Sequence, residues 1–130
     1  MRTITIICGL PGAGKTTYCE QFENVILLTE INKLVSGRKS PYIKCALAAL
    51  EQEDDIYIEG PFNNIKCRKE FLDVLKDKEC KKVCIFINTP FEICLERSDS
   101  EKKHAVEYWN NHLEVPTEEE GWDEVIIINE

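Results

Sequence analysis

The chain has 130 residues, 43% of them hydrophobic, and a formal net charge of −8. That length suits one domain with its own core, so a single unit is expected over residues 1–130. No apolar run approaches the ~20 residues that cross a bilayer, and the acidic balance sets up a field that repels nucleic acid, disfavouring it as a partner unless a local basic groove exists.

The N-terminus leads directly into an apolar stretch without a signal-peptide pattern. The seven cysteines are odd in number and include no Cys-x-x-Cys pair, and several fall on apolar faces. Buried, reduced thiols in a cytoplasmic protein are therefore expected, ahead of disulfides or a zinc site.

In chain order, residues 2–8 are apolar and β-branched and predict a strand. Gly9-Leu10-Pro11-Gly12-Ala13-Gly14-Lys15-Thr16 then fits G-x-x-x-x-G-K-[ST], and helical spacing follows over 15–24. Strand, glycine loop and helix together form a phosphate cradle. The glycines allow close backbone approach, and the loop amides form an anion-binding nest at a helix N-terminus. Residues Gly9 to Thr17 are the expected nucleotide-binding set, with Lys15 reaching the β- and γ-phosphates and Thr16 holding Mg²⁺.

Val25-Ile26-Leu27-Leu28 predicts a second strand, followed by Thr29-Glu30 and a short helix and loop over 31–39. Ser40-Pro41 opens a helix whose inner face is Ile43, Ala46, Leu47 and Leu50. Ile56-Tyr57-Ile58 predicts a third strand ending at Glu59-Gly60; Asn63 and Asn64 would cap a helix over 64–78. Residues 83–87 predict a fourth strand, and Thr89-Pro90-Phe91-Glu92 has the form of a capping box. Ala105, Val106, Trp109 and Leu113 mark another helical face, which leaves His104 and His112 at the surface, and residues 125–128 predict a fifth strand.

Strands that are continuous apolar runs and alternate with helices imply a parallel sheet covered on both faces, with ligands at the carboxyl ends of the strands. The polar residues just past each strand are therefore the candidates. Glu30 is either a base that takes a proton from an acceptor hydroxyl or a solvated acid flanking the next helix. Glu59 ends an apolar strand as a Walker-B acid does and is expected to position Mg²⁺. Arg97 either neutralises charge on a transferring phosphoryl group or complements a helix dipole.

Residues 7–18, Ile-Cys-Gly-Leu-Pro-Gly-Ala-Gly-Lys-Thr-Thr-Tyr, resemble the start of the small P-loop kinases grouped with the 5′-hydroxyl polynucleotide kinase domain, a group that includes AAA-type ATPase and zeta-toxin-like domains. The family's D-x-x-R after the second strand corresponds here to Glu30-x-x-Lys33, and its D-G-T-N-L to Glu59-Gly60-Pro61-Phe62-Asn63, with Arg68-Lys69 beyond. Cys94-Leu95-Glu96-Arg97 is similar to the opening of the family's lid, and residues 115–125 resemble its closing P-T-x-x-E-G-F/W-D-E motif.

The resemblance implies an adenylate-kinase-like, three-layer α/β/α P-loop NTPase fold with a five-stranded parallel sheet and a lid-like segment at 98–114. It implies ATP and Mg²⁺ as cofactors and transfer of a γ-phosphoryl group to a hydroxyl of a small-molecule or nucleic-acid-derived acceptor. Lys15, Glu30 and Arg97 would be catalytic, while Lys33, Phe62 and Arg68 would contact the acceptor. Glu and Lys in place of Asp and Arg alter reach and remove bidentate phosphate recognition. The other expectation is a nucleotide-binding switch or slow ATPase acting through a protein partner.

Overall fold

Five parallel strands carry the architecture in the computed structural model, which describes residues 1–129. The strands are β1 (Thr3–Cys8), β2 (Val25–Leu27), β3 (Ile56–Glu59), β4 (Lys81–Asn88) and β5 (Glu124–Asn129). The helices are α1 (Lys15–Cys19), α2 (Ile31–Leu34), α3 (Pro41–Leu50), α4 (Ile65–Leu75), α5 (Phe91–Glu96) and α6 (Ser100–Asn111). The sheet order is β2-β3-β1-β4-β5. β1 is central, pairing Ile7 with Glu59 on one side and Cys8 with Phe86 on the other.

Strand alternation sends side chains to two separate cores. Ile4, Ile6 and Cys8 of β1 join Ile56, Ile58, Cys84 and Phe86 under α3 and α4. Ile7 joins Val83, Ile85 and Ile87 under Cys19 of α1, Cys94 of α5 and Val106 of α6. Because both faces of β1 and β4 are covered, these strands read as unbroken apolar runs, while the edge strands β2 and β5 remain partly exposed. None of the seven cysteines forms a disulfide and all are buried, and Cys8 Sγ lies 3.7 Å from Cys84 Sγ across the β1–β4 ladder.

Three local expectations are corrected by tertiary packing. The helix expected over 15–24 ends at Cys19, and Phe22 beyond it stacks on Tyr57 of β3 at 3.8 Å. The helix expected over 64–78 ends at Leu75, with Asp77 in left-handed backbone at φ +67°. Thr89 does not cap α5. Its hydroxyl donates to the Ala13 carbonyl instead, and the helix starts after Pro90 without a side-chain cap.

Two expected acceptor residues lie in the interior. Phe62 is fully buried, with its ring edge-to-face against Tyr42 and Phe71. Arg68 is also fully buried. Its Nε and Nη2 donate to both oxygens of Glu120 (2.7 and 3.0 Å), and Nη1 and Nη2 donate to the Phe62 and Glu114 carbonyls (2.8 and 2.7 Å). All of its donor directions but one serve this network, so it is a structural ion pair and has no path to an acceptor. Trp122 Nε1 donates to the same Glu120 carboxylate, which anchors the 114–122 segment against α4.

Removing one partner of such a pair leaves a buried, uncompensated charge. Glu120→Ala should therefore lower unfolding free energy by about 3–5 kcal/mol in urea titrations. A loss within error of a surface substitution would mean that the pair does not hold this segment.

Candidate active site

The loop between β1 and α1 has the close contacts its glycines predict. Gly9 has φ +152°, and a Cβ there would lie 2.8 Å from the Ile87 carbonyl oxygen of β4. Gly12 has φ +83°, and a Cβ there would lie 3.0 Å from the Cys94 carbonyl oxygen of α5. Side chains at either position would push the loop off the neighbouring elements.

The loop carbonyls are fastened from several directions. Asn63, fully buried past the end of β3, clamps Gly9: its Nδ2 donates to the Gly9 carbonyl (2.8 Å) and its Oδ1 accepts from the Gly9 amide (3.0 Å). Thr89 Oγ1, just past β4, donates to the Ala13 carbonyl at 2.7 Å. Arg97, at the C-terminal end of α5, donates to the Gly12 carbonyl at 3.1 Å. Fixing carbonyls in this way leaves a loop whose free amides can turn toward an anion.

Lys15 Nζ donates to the Gly9 carbonyl at 2.7 Å. Burial pushes its ammonium below the usual lysine value, opposed in part by the nearby Glu59 carboxylate. Thr16 Oγ1 donates to Glu59 Oε1 at 2.7 Å, which joins the start of α1 to the end of β3. The other carboxylate oxygen, Glu59 Oε2, is buried and has no hydrogen-bond partner among the described residues. A hydroxyl and a carboxylate with an unsatisfied buried oxygen are hard oxygen donors, and they fit Mg²⁺.

These groups line one cleft of about 930 Å³. On the β4–β5 side it is bounded by Ile87, Arg97, Lys102, Trp109 and Ile128. On the β2–β3 side it is bounded by Leu27, Thr29, Gly60 and Pro61. The cleft therefore gathers the loop residues Pro11, Gly12 and Gly14 to Thr17 with Glu59 and Arg97.

Glu30 and Lys33 are not among the lining residues. They pair with each other at 2.8 Å on the surface next to Thr29, with side chains 47% and 78% exposed. The Glu30 carboxylate, through its hydrogen bond and its charge, holds the Lys33 ammonium above its ordinary value. His104 and His112 are exposed.

Sequence reasoning missed three residues here. Asn63 was expected to cap a helix, but Asn64 takes that role by accepting from the Cys67 amide, which frees Asn63 for Gly9. By sequence alone Thr89 has the form of a capping-box residue and Trp109 that of a packing-face residue. Position just past a strand's carboxyl end was the signal available for Asn63 and Thr89.

No family model matches the sequence. The chain is 25% identical over 131 residues to a bifunctional polynucleotide phosphatase/kinase of Schizosaccharomyces pombe, covering 94% of this chain and 32% of that protein. It thus spans about a third of that relative's length. Two solved structures superpose over 99% of the chain. One is a sugar kinase from Janibacter sp. HTCC2649 (TM-score 0.67, 12% identity, 86% of that chain covered), and the other is a gluconokinase from Sinorhizobium meliloti 1021 (TM-score 0.66, 11% identity, 84% covered). The fold is that of the P-loop kinases. This adenylate-kinase-like arrangement, an all-parallel five-stranded sheet with a glycine loop after its central strand, is the one the motifs led us to expect.

Within this P-loop kinase fold, the fastening of the loop can be tested by deleting one donor. Thr89→Val is nearly isosteric and strands the Ala13 carbonyl in a buried setting. It should lower stability by about 1–3 kcal/mol and weaken ATP binding measured by titration calorimetry. Unchanged values for both would show that the bond does not hold the loop.

Proposed function

We propose that this chain is a kinase that transfers the γ-phosphoryl group of ATP to a hydroxyl group. The observation that carries this is the Thr16–Glu59 pair, with its unsatisfied buried oxygen, directly beside the fastened glycine loop and Lys15. Relationship to a polynucleotide kinase and the P-loop kinase fold supports a phosphotransferase role. We read residues 1–130 as one such unit, with 98–114 as a lid-like segment.

In this reading Gly9 to Thr17 bind the triphosphate through loop amides, while Lys15 leaves the Gly9 carbonyl to engage the β- and γ-phosphates. Thr16 and Glu59 would hold Mg²⁺, which when bound neutralises charge on the phosphate oxygens. Arg97, already against the loop at Gly12, stabilises the equatorial oxygens of the transferring group. Glu30 takes the proton from the acceptor hydroxyl as its oxygen forms the new bond to the γ-phosphorus, and ADP departs with the electrons of the broken bond. Trp109, with Ile87 and Ile128 nearby, provides an apolar wall for the nucleoside.

Turnover of γ-labelled ATP tests the assignment. Lys15→Ala should abolish label transfer with the fold intact by circular dichroism; retained transfer would sink the mechanism. Glu30→Gln should reduce kcat by about 10²–10⁴-fold with little change in KM for ATP.

The second reading, a nucleotide-binding switch or slow ATPase acting through a protein partner, is favoured by one observation: Glu30 is held by Lys33 outside the cleft. It expects ATP hydrolysis that candidate acceptors do not stimulate and that Glu30→Gln barely alters.

Trp109→Leu gives a separate check on the nucleoside wall. It should weaken ATP binding about tenfold, as expected for losing ~1–3 kcal/mol of base stacking, and leave inorganic tripolyphosphate binding unchanged. Equal weakening of both ligands would mean that Trp109 supports the loop instead.

A further inference from the structure

Gly9 is the residue at which β1 stops and the loop begins, and its buried peptide groups lie past the strand pairing. The ladder to β4 runs out at Cys8 opposite Phe86, and on the β3 side the Gly60 amide donates to the Ile7 carbonyl at 3.1 Å. Buried backbone groups beyond that point need partners from elsewhere. Asn63 supplies them, with Oδ1 accepting from the Gly9 amide (3.0 Å) and Nδ2 donating to the Gly9 carbonyl (2.8 Å). Its planar carboxamide, donor and acceptor on one group, takes the place that a neighbouring strand's peptide would fill.

The Gly9 carbonyl has a second donor. Lys15 Nζ lies 2.7 Å from the same oxygen. A carbonyl oxygen has two lone pairs, and here the ammonium takes one and Asn63 the other. The two donors differ in what can move. Asn63 is fully buried, and the backbone around it is held: Arg68 Nη1 donates to the Phe62 carbonyl (2.8 Å) and the Glu114 amide to the Asn63 carbonyl (2.9 Å). Lys15 is a long, flexible side chain that lines the cleft.

When Lys15 turns to the β- and γ-phosphates, it takes its hydrogen bond with it. Without Asn63 the Gly9 oxygen would then be buried with no partner, a cost that would hold the ammonium in its resting place. With Asn63 in position the oxygen keeps a donor throughout.

We propose that Asn63 is a positioning residue for nucleotide binding. By keeping the Gly9 carbonyl satisfied, it lets Lys15 pass from its resting contact to the phosphates without stranding a buried acceptor. This rests on the reading of the loop and Lys15 as the triphosphate site, and adds to it the residue that releases the lysine.

A double-mutant cycle on ATP affinity separates this role from a merely structural one. Asn63→Leu, similar in size, is combined with Lys15→Ala, and binding of ATP with Mg²⁺ to the four proteins is measured by titration calorimetry. Asn63→Leu should weaken ATP binding about tenfold while Lys15 is present. In the Lys15→Ala background, where no lysine has to leave, the loss should be less than about twofold. The Gly9 amide orphaned by leucine is common to both arms and cancels. Equal losses in both backgrounds would mean that Asn63 only shapes the loop; that result, or no loss in either, overturns the inference. A wild-type chain that binds neither ATP nor inorganic tripolyphosphate removes the triphosphate-site reading and the inference together. Absence of label transfer by a chain that binds ATP counts against the kinase reading alone, because the cycle reads binding.

A measurement with Asn63 in place covers the case of a leucine variant that does not fold. The Asn63 side-chain amide proton facing Gly9 should shift downfield when ATP and Mg²⁺ bind, because it becomes the sole donor to that oxygen, and should stay in place in Lys15→Ala. An unchanged or upfield signal in the wild-type chain, or the same shift in Lys15→Ala, overturns the hand-over.

Discussion

The site depends on where the glycine loop's carbonyls go. A loop that is to offer amides to an anion must keep its carbonyl oxygens satisfied on the other side, or the buried oxygens would pull the loop toward any donor available. Here Asn63, just past β3, Thr89, just past β4, and Arg97, at the C-terminal end of α5, supply those donors. The loop is thus held by the parallel sheet through residues that the sheet's connectivity delivers to one edge.

That hold extends well behind the loop. Asn63 is positioned by a turn whose backbone is itself gripped: the Phe62 carbonyl by Arg68, and the Asn63 carbonyl by the Glu114 amide. Arg68 is set by Glu120, and Glu120 also takes bonds from Trp122 and from the Thr117 amide. A chain of buried polar contacts therefore runs from the segment before β5 to the first glycine of the loop. Such networks stabilise only when every member is satisfied, and that condition is met here for Arg68 and Asn63. Among the described residues, the one buried side-chain oxygen left without a hydrogen bond, on Glu59, lies in the cleft.

The sequence made the frame legible and left the fastenings obscure. All five strands were readable as unbroken apolar runs; in β1 and β4 those runs reflect burial on both faces, while the edge strands β2 and β5 are apolar though partly exposed. The glycine loop was readable because its pattern is local. Thr16 and Glu59 were assigned to one metal by motif, and the structure brings them within 2.7 Å. Arg68 and Phe62 could not be placed correctly, because a basic or aromatic residue after a strand looks the same whether it faces a ligand or the core. What decides is Glu120, distant in sequence and adjacent only once the 114–122 segment lies on α4. Asn63 and Thr89 have local explanations as helix caps, and those explanations competed with the true contacts. Helix ends misread at Cys19 and Leu75 reflect the same limit, since propensity carries no information about Phe22 stacking on Tyr57.

The central place of β1 also governs how the molecule comes together in time. β1 precedes both of its neighbours in the chain, yet Ile4 must find Ile56 and Cys8 must find Phe86 before both hydrogen-bonding edges of the strand are paired. Its apolar run stays unpaired during synthesis until β3 and then β4 have emerged. Pairings of this separation close large loops before they gain contacts, which slows folding. The strand that carries the glycine loop is thus the first made and must wait for β4 before both of its partners exist, so the loop gains its fastenings only when the middle of the sheet closes.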